Sequence, residues 1–263
     1  MNFVSYINEH TGWLYTKIYQ NDLFFFDLWS LVHLWSGFMV YLLARAIRFK
    51  RPMMVLVISL FAYEVVEILC IYIALNVFRP ETIKDQFTDI FAGIAGALAC
   101  MLFLAMVAKF NKRYPGWIKA FIIFVVSSSY AFIWVGSYGY HYNVESYNTQ
   151  GINVSSLTGW TLCGIYILAV YLLFRNKNLI LRLCLTWICY FLVLLPFEYI
   201  YYYILEVHEI SGLPLRPLIF GLVHGTKTLH VFYIAAPFIL IAVYEFGRWL
   251  VSRASATTLL SAR

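Results

Sequence analysis

DQFTDIFAGIAGALACMLFLAMVAKF, residues 85–110, carries two acids in its first five positions and a lysine near its far end. Between Asp89 and Lys109 every residue is apolar or small. A bilayer core about 30 Å thick takes about 20 such residues as one helix, so this stretch is long enough to cross it. Isolated backbone groups cannot stay unpaired in lipid, and a helix pairs them within its own segment.

Six other stretches meet the same length: residues 23–46, 52–78, 117–138, 157–174, 179–206 and 217–250. The predicted fold is all-α, a polytopic integral membrane helical bundle of seven transmembrane helices forming one domain over residues 1–263. Composition agrees. Of 263 residues, 62% are hydrophobic and 12% charged, whereas soluble domains carry about 45–50% apolar and about 25% charged residues. That excludes a soluble enzyme, a nucleic-acid-binding domain and a disordered regulator. The net charge of +6 reflects loop lysines and arginines rather than nucleic acid as a partner. The N-terminal MNFVSYINEHTGWLYTKIYQND lacks the basic start and small-residue cleavage site of a signal peptide.

Loop charge sets the expected direction. Arg45, Arg48, Lys50 and Arg51 lie after the first span, and Lys109, Lys112, Arg113 and Lys119 after the third. Arg175, Lys177 and Arg182 follow the fifth, and Arg248, Arg253 and Arg263 close the chain. The opposite side has Lys17, Arg79, Lys84 and Arg216, with Lys227 inside a span. Cytoplasmic loops are rich in Lys and Arg, so the N-terminus is expected outside and the C-terminus inside, in a bacterial cytoplasmic (inner) membrane. The outer loop holds Tyr138, Tyr140, Tyr142 and Tyr147, read as an interfacial belt. Asn153-Val154-Ser155 there matches a glycosylation pattern. Five cysteines (Cys70, Cys100, Cys163, Cys184, Cys189) sit in apolar stretches without CxxC spacing, which reads as small buried side chains.

Ionisable groups are expensive inside lipid, so each is a functional candidate. His33, Glu64, Glu67, Asp85, Asp89, Glu198, His224, Lys227 and His230 gather toward the expected outer half of the bilayer. Glu64 and Glu67 are three apart and share a helix face, and Asp85 and Asp89 are four apart above Gly93 and Gly96. His224, Lys227 and His230 are read as a stripe on the last span, with Lys227 a partner for either glutamate. Two carboxylates at mid-membrane need a cation, a basic partner or shared protons.

Three chemistries are compatible with these residues. Glu64, Glu67, Asp89 and Lys227 supply acid–base catalysis and stabilisation of a phosphate-bearing group. Asp85, Gly93, Glu198 and Lys227 are the expected substrate contacts. His33, His224 and His230, beside the carboxylates, offer ligands for a divalent metal such as zinc, which would activate water. A Schiff base on Lys227 suggests retinal-binding rhodopsins, but Val223 stands where the microbial family has an aspartate.

His33, the acidic pair Glu64 and Glu67, and ETIKDQFTDIFAGIAGA at 81–97 give spans one to three a resemblance to the VanZ-like and YjdF-like bacterial membrane proteins. Those groups place acids before an aspartate-bearing helix that continues into small residues. Asp85 and Asp89 are the matching aspartates, and Ala92 stands where those groups have an asparagine. The resemblance implies an envelope-associated function directed at lipids or lipid-linked substrates. It implies no established reaction; the clustering of Glu64, Glu67, Asp89, His33, His224 and Lys227 in the outer half makes hydrolysis or transfer on such a substrate the expected function, with membrane lipids as partners. The alternatives are a lipid or amphiphile binding or transport protein and a structural subunit of a membrane complex.

Overall fold

A computed structural model describes residues 11–69, 82–110, 115–149, 151–211 and 216–261. Cys70, the end of the second expected span with Arg79, and Lys112, Arg113 and Arg263 lie outside these. Helix accounts for 79% of the described residues. Seven helices of at least 15 residues occur among them: α1 Leu28–Ala46, α2 Pro52–Val66, α3 Ile83–Phe110, α4 Pro115–Tyr138, α5 Val154–Leu173, α6 Leu179–Tyr199 and α7 Lys227–Ser261. Six of them, α2 to α7, are long and apolar enough to cross a membrane. They mark an integral membrane protein. α1 falls outside that set because His33, Ser30, Ser36 and two tryptophans dilute its hydropathy.

Two compact units divide the chain, one of Met1–Ile118 with Arg248–Arg263 and one of Lys119–Gly247. In the first, β1 (Lys17–Gln20) and β2 (Phe25–Asp27) form a hairpin that leads into α1. Residues 23–27 were expected as the start of a span. Asn21 instead turns the chain, its side chain accepting from the Leu23 and Phe24 amides at 2.9 and 2.7 Å. Asp27 then caps α1 by accepting from the Ser30 amide at 3.0 Å, which satisfies one of the free N–H groups at a helix start.

α1 and α3 run side by side in the same direction, with α2 returning antiparallel between their chain segments. Glycine makes the approach possible. A Cβ on Gly37 would overlap the Gly93 carbonyl, and one on Gly96 would overlap the Leu34 carbonyl. Leu60 of α2 closes over Gly93, where a Cβ would meet its Cδ2 at 2.6 Å. One turn along, this glycine layer gives way to polar residues from all three helices.

In the second unit, Asn153 caps α5 by accepting from the Ser156 amide at 2.9 Å, and Asn178 caps α6 by accepting from the Leu181 amide at 2.9 Å. Beyond Pro196, α6 ends in a π-helical turn at Ile200–Ile204. Residues 217–226, expected as part of the last span, do not belong to α7. β3 (Arg216–Leu218) pairs antiparallel with β4 (Val223–Gly225) across one helical turn, with Gly221 at φ +72 and Gly225 at φ +156. These are backbone conformations that favour glycine. Thr226 then starts the helix, its hydroxyl accepting from the Leu229 amide at 3.1 Å.

Candidate functional site

The polar layer of the first unit is built by short helical spacings. Asp27, Ser30 and His33 follow one another at intervals of three along the start of α1, and Glu64 and Glu67 do the same at the end of α2. Glu67 opens a π-type turn at residues 67–69, a local widening frequent at functional sites. Asp89 enters from α3. All six side chains are buried, none more than 7% exposed.

Hydrogen bonds order one side of this group. The Ser30 hydroxyl donates to Asp89 Oδ1 at 3.0 Å and lies 3.4 Å from Asp27 Oδ1. Asp89 Oδ2 stands 3.5 Å from His33 Nε2, the acid–base contact within the group. Tyr63 meets the His33 ring edge-on, centroids 5.5 Å apart. The other side is open-valenced. His33, Glu64 and Glu67 each bring one ligating atom to within 4.8 Å of the others, and Glu67 Oε2 is buried with no hydrogen-bond partner. Among the described residues this is the one group of three potential metal ligands so close together.

Other candidate residues fall elsewhere. Asp85 is a helix-start residue: its carboxylate accepts from the Thr82 amide and hydroxyl, both at 3.0 Å, and its amide donates back to Thr82 at 3.3 Å. Gly93 is taken up by packing against Gly37 and Leu60. Glu198, His224, Lys227 and His230 belong to the second unit. Glu198 accepts from the Tyr233 hydroxyl at 2.7 Å. Lys227 is exposed at the first residue of α7. The expected helical stripe of His224, Lys227 and His230 is interrupted, because His224 lies in β4. There it stacks on Tyr202 at 3.6 Å, with His208 on Tyr202 at 4.2 Å. His230 is buried, its Nε2 3.3 Å from the Val223 carbonyl.

The tyrosines of the loop expected outside form a packed network rather than the expected surface belt. Tyr140 is buried, and its hydroxyl accepts from the Trp134 and Trp160 indoles at 2.9 and 2.8 Å. Burial pushes its phenol well above the ordinary range and raises that of Tyr142, bonded to Ser156 at 3.0 Å, to about 12. Asn153 is buried, and its amide donates to the Tyr147 carbonyl at 2.9 Å. A side chain so held does not present the expected glycosylation acceptor.

Ser30 is the site residue that sequence reasoning passed over. Its signal was the Asp-x-x-Ser spacing ahead of His33, a helix-start pattern whose polar residues fall on one face. No family model, curated protein or solved structure matches the chain.

Proposed function

We propose that the first unit carries the working site of a seven-span bacterial inner-membrane protein that hydrolyses or transfers a group on a lipid or lipid-linked substrate. The observation that carries this is Glu67: a buried carboxylate oxygen without a partner, beside Glu64 and His33. A buried acceptor left unbonded costs about 1–3 kcal/mol, a cost that persists at sites kept for chemistry. Glu67 is the general base, and His33, oriented by Asp89, is the proton carrier. Glu64 tunes Glu67 by charge.

Depth supports the lipid assignment. At 1.5 Å per residue, His33 lies ~8 Å from the start of α1 and Asp89 ~9 Å from the start of α3, and Glu64 brings its carboxylate to within 4.8 Å of the His33 ring. In a topology with the N-terminus outside, all three stand below the outer surface at one level. A substrate reaching them brings its acyl chain along the helices and its head group to the carboxylates. The VanZ-like and YjdF-like resemblance of these three spans points the same way.

The test uses purified protein in vesicles of bacterial polar lipid extract, with released head groups and shortened lipids followed by mass spectrometry. Wild type is expected to generate product, and Glu67→Gln to lower the rate at least a hundredfold while eluting as the same folded species. Unimpaired turnover in Glu67→Gln removes the assignment. Unchanged lipids with wild type favour a non-enzymatic amphiphile carrier.

A further inference from the structure

We infer that His33, Glu64 and Glu67 bind one divalent transition-metal ion, zinc first. The inference rests on the reading of this site as one of lipid hydrolysis or transfer, with Glu67 and His33 then serving as ligands and zinc-bound water taking over the task of base; binding itself is independent of turnover.

Charge comes first. Glu64 and Glu67 are buried together, and no lysine or arginine among the described residues lies within ion-pair distance of either. A divalent cation neutralises two carboxylates exactly where a low-dielectric environment penalises them most. Glu67 Oε2 has no hydrogen-bond partner, so as a carboxylate oxygen it has a lone pair free for an ion. An ion satisfies that oxygen whatever the surrounding hydrogen bonds.

Spacing and donor type narrow the ion. Ligands held about 2.0–2.2 Å from a tetrahedral zinc ion stand about 3.3–3.6 Å from one another. The three ligating atoms lie within 4.8 Å, so side-chain shifts of less than about 1 Å each bring them onto one centre. Calcium and magnesium favour all-oxygen shells, whereas an imidazole beside two carboxylates suits zinc, manganese or iron. Of these three, zinc binds such ligands most tightly. The surroundings also fit. Asp89 at 3.5 Å from His33 Nε2, itself bonded by Ser30, matches the carboxylate that commonly orients a metal-bound imidazole. Three protein ligands leave a position for water, which a bound zinc acidifies.

The full-length protein, purified in detergent and stripped with EDTA, is titrated with zinc chloride and its bound metal measured by inductively coupled plasma mass spectrometry. Wild type is expected to retain about one zinc per chain. Glu67→Gln and His33→Ala should each weaken binding more than tenfold, and Asp89→Asn by about 10–100-fold, the usual range for an orienting partner. Circular dichroism and elution volume check that the variants are folded. The conservative Glu67→Gln keeps the size of the side chain and removes only its charge. His208→Ala, in the second unit, should bind as wild type does. Equal zinc uptake by wild type and Glu67→Gln, or less than a tenth of an equivalent in wild type, overturns the inference. Zinc bound at His33, Glu64 and Glu67 without lipid turnover upholds it and removes the hydrolytic reading. Turnover undiminished in zinc-free protein upholds the hydrolytic reading and removes the ion from the reaction.

Discussion

Single residues were legible in proportion to what they cost in lipid. His33, Glu64, Glu67 and Asp89 stand out because an ionisable group in a membrane helix needs a reason to be there, and the first unit brings all four together. Ser30 joins Asp27 to Asp89 in the same layer, yet serine is so cheap in a membrane helix that its spacing from Asp27 is all that marks it. Tyrosines misled in the other direction. Interfacial aromatics are common, but Tyr140 and Tyr142 are tied into Trp134, Trp160 and Ser156. That burial has a pH signature. Burial holds the Tyr142 phenol at about 12 against its ordinary 10. The folded chain therefore keeps this proton longer than the unfolded chain does, and the associated stability is full below pH 10 and lost as pH climbs toward 12. Thermal unfolding in detergent should show wild type losing more stability than Tyr142→Phe across that interval. Parallel curves would show that Tyr142 ionises as freely folded as unfolded.

Helices and their ends were legible where capping and composition agree, and were lost where glycine redirects the chain. α3 begins close to the acid expected to start it, and its Gly93 and Gly96 serve a close helix approach. Residues 217–226 read as part of a long apolar span, but Gly221 and Gly225 allow backbone conformations that fold them into a hairpin. Apolar content alone does not separate a helix from a buried strand pair. The glycine contact between α1 and α3 is the element on which the polar layer depends. It sets the separation at which Ser30 reaches Asp89 at 3.0 Å. Gly37→Ala places a methyl against the Gly93 carbonyl, a backbone atom that cannot turn aside. Overpacking of this kind costs about 1–3 kcal/mol, and the helices must separate to relieve it. A lowered unfolding temperature is expected together with weakened zinc retention. Wild-type stability in Gly37→Ala would show that the two helices have room to spare.

The whole molecule turns on whether α1 crosses the membrane with the other six helices. Averaged hydropathy counts every side chain alike, wherever it points. In α1 the polar residues Ser30 and His33 are buried within the first unit, while Leu31, Leu34, Met39 and Leu43 are exposed. Ser36 is exposed, but its hydroxyl donates to the Val32 carbonyl at 2.8 Å and needs no water. The outward surface is therefore more apolar than the average. Length agrees too: 19 residues rise ~28 Å as a helix, against a core of about 30 Å. α1 also lies in register beside α3, Gly37 against Gly93, so an α3 that spans carries α1 to the same depth. The basic clusters at 45–51 and 175–182 are four helices apart and fall on one side, so α1 alone decides whether residues 11–27 lie opposite them. Asp22 and Lys50, exposed at opposite ends of α1, provide the test. In intact spheroplasts a membrane-impermeant maleimide should label Asp22→Cys above the wild-type background and reach Lys50→Cys only after lysis. Labelling of both from the same side would leave α1 on the surface, reduce the spans to six, and move His33 out of the bilayer together with the site it helps to form.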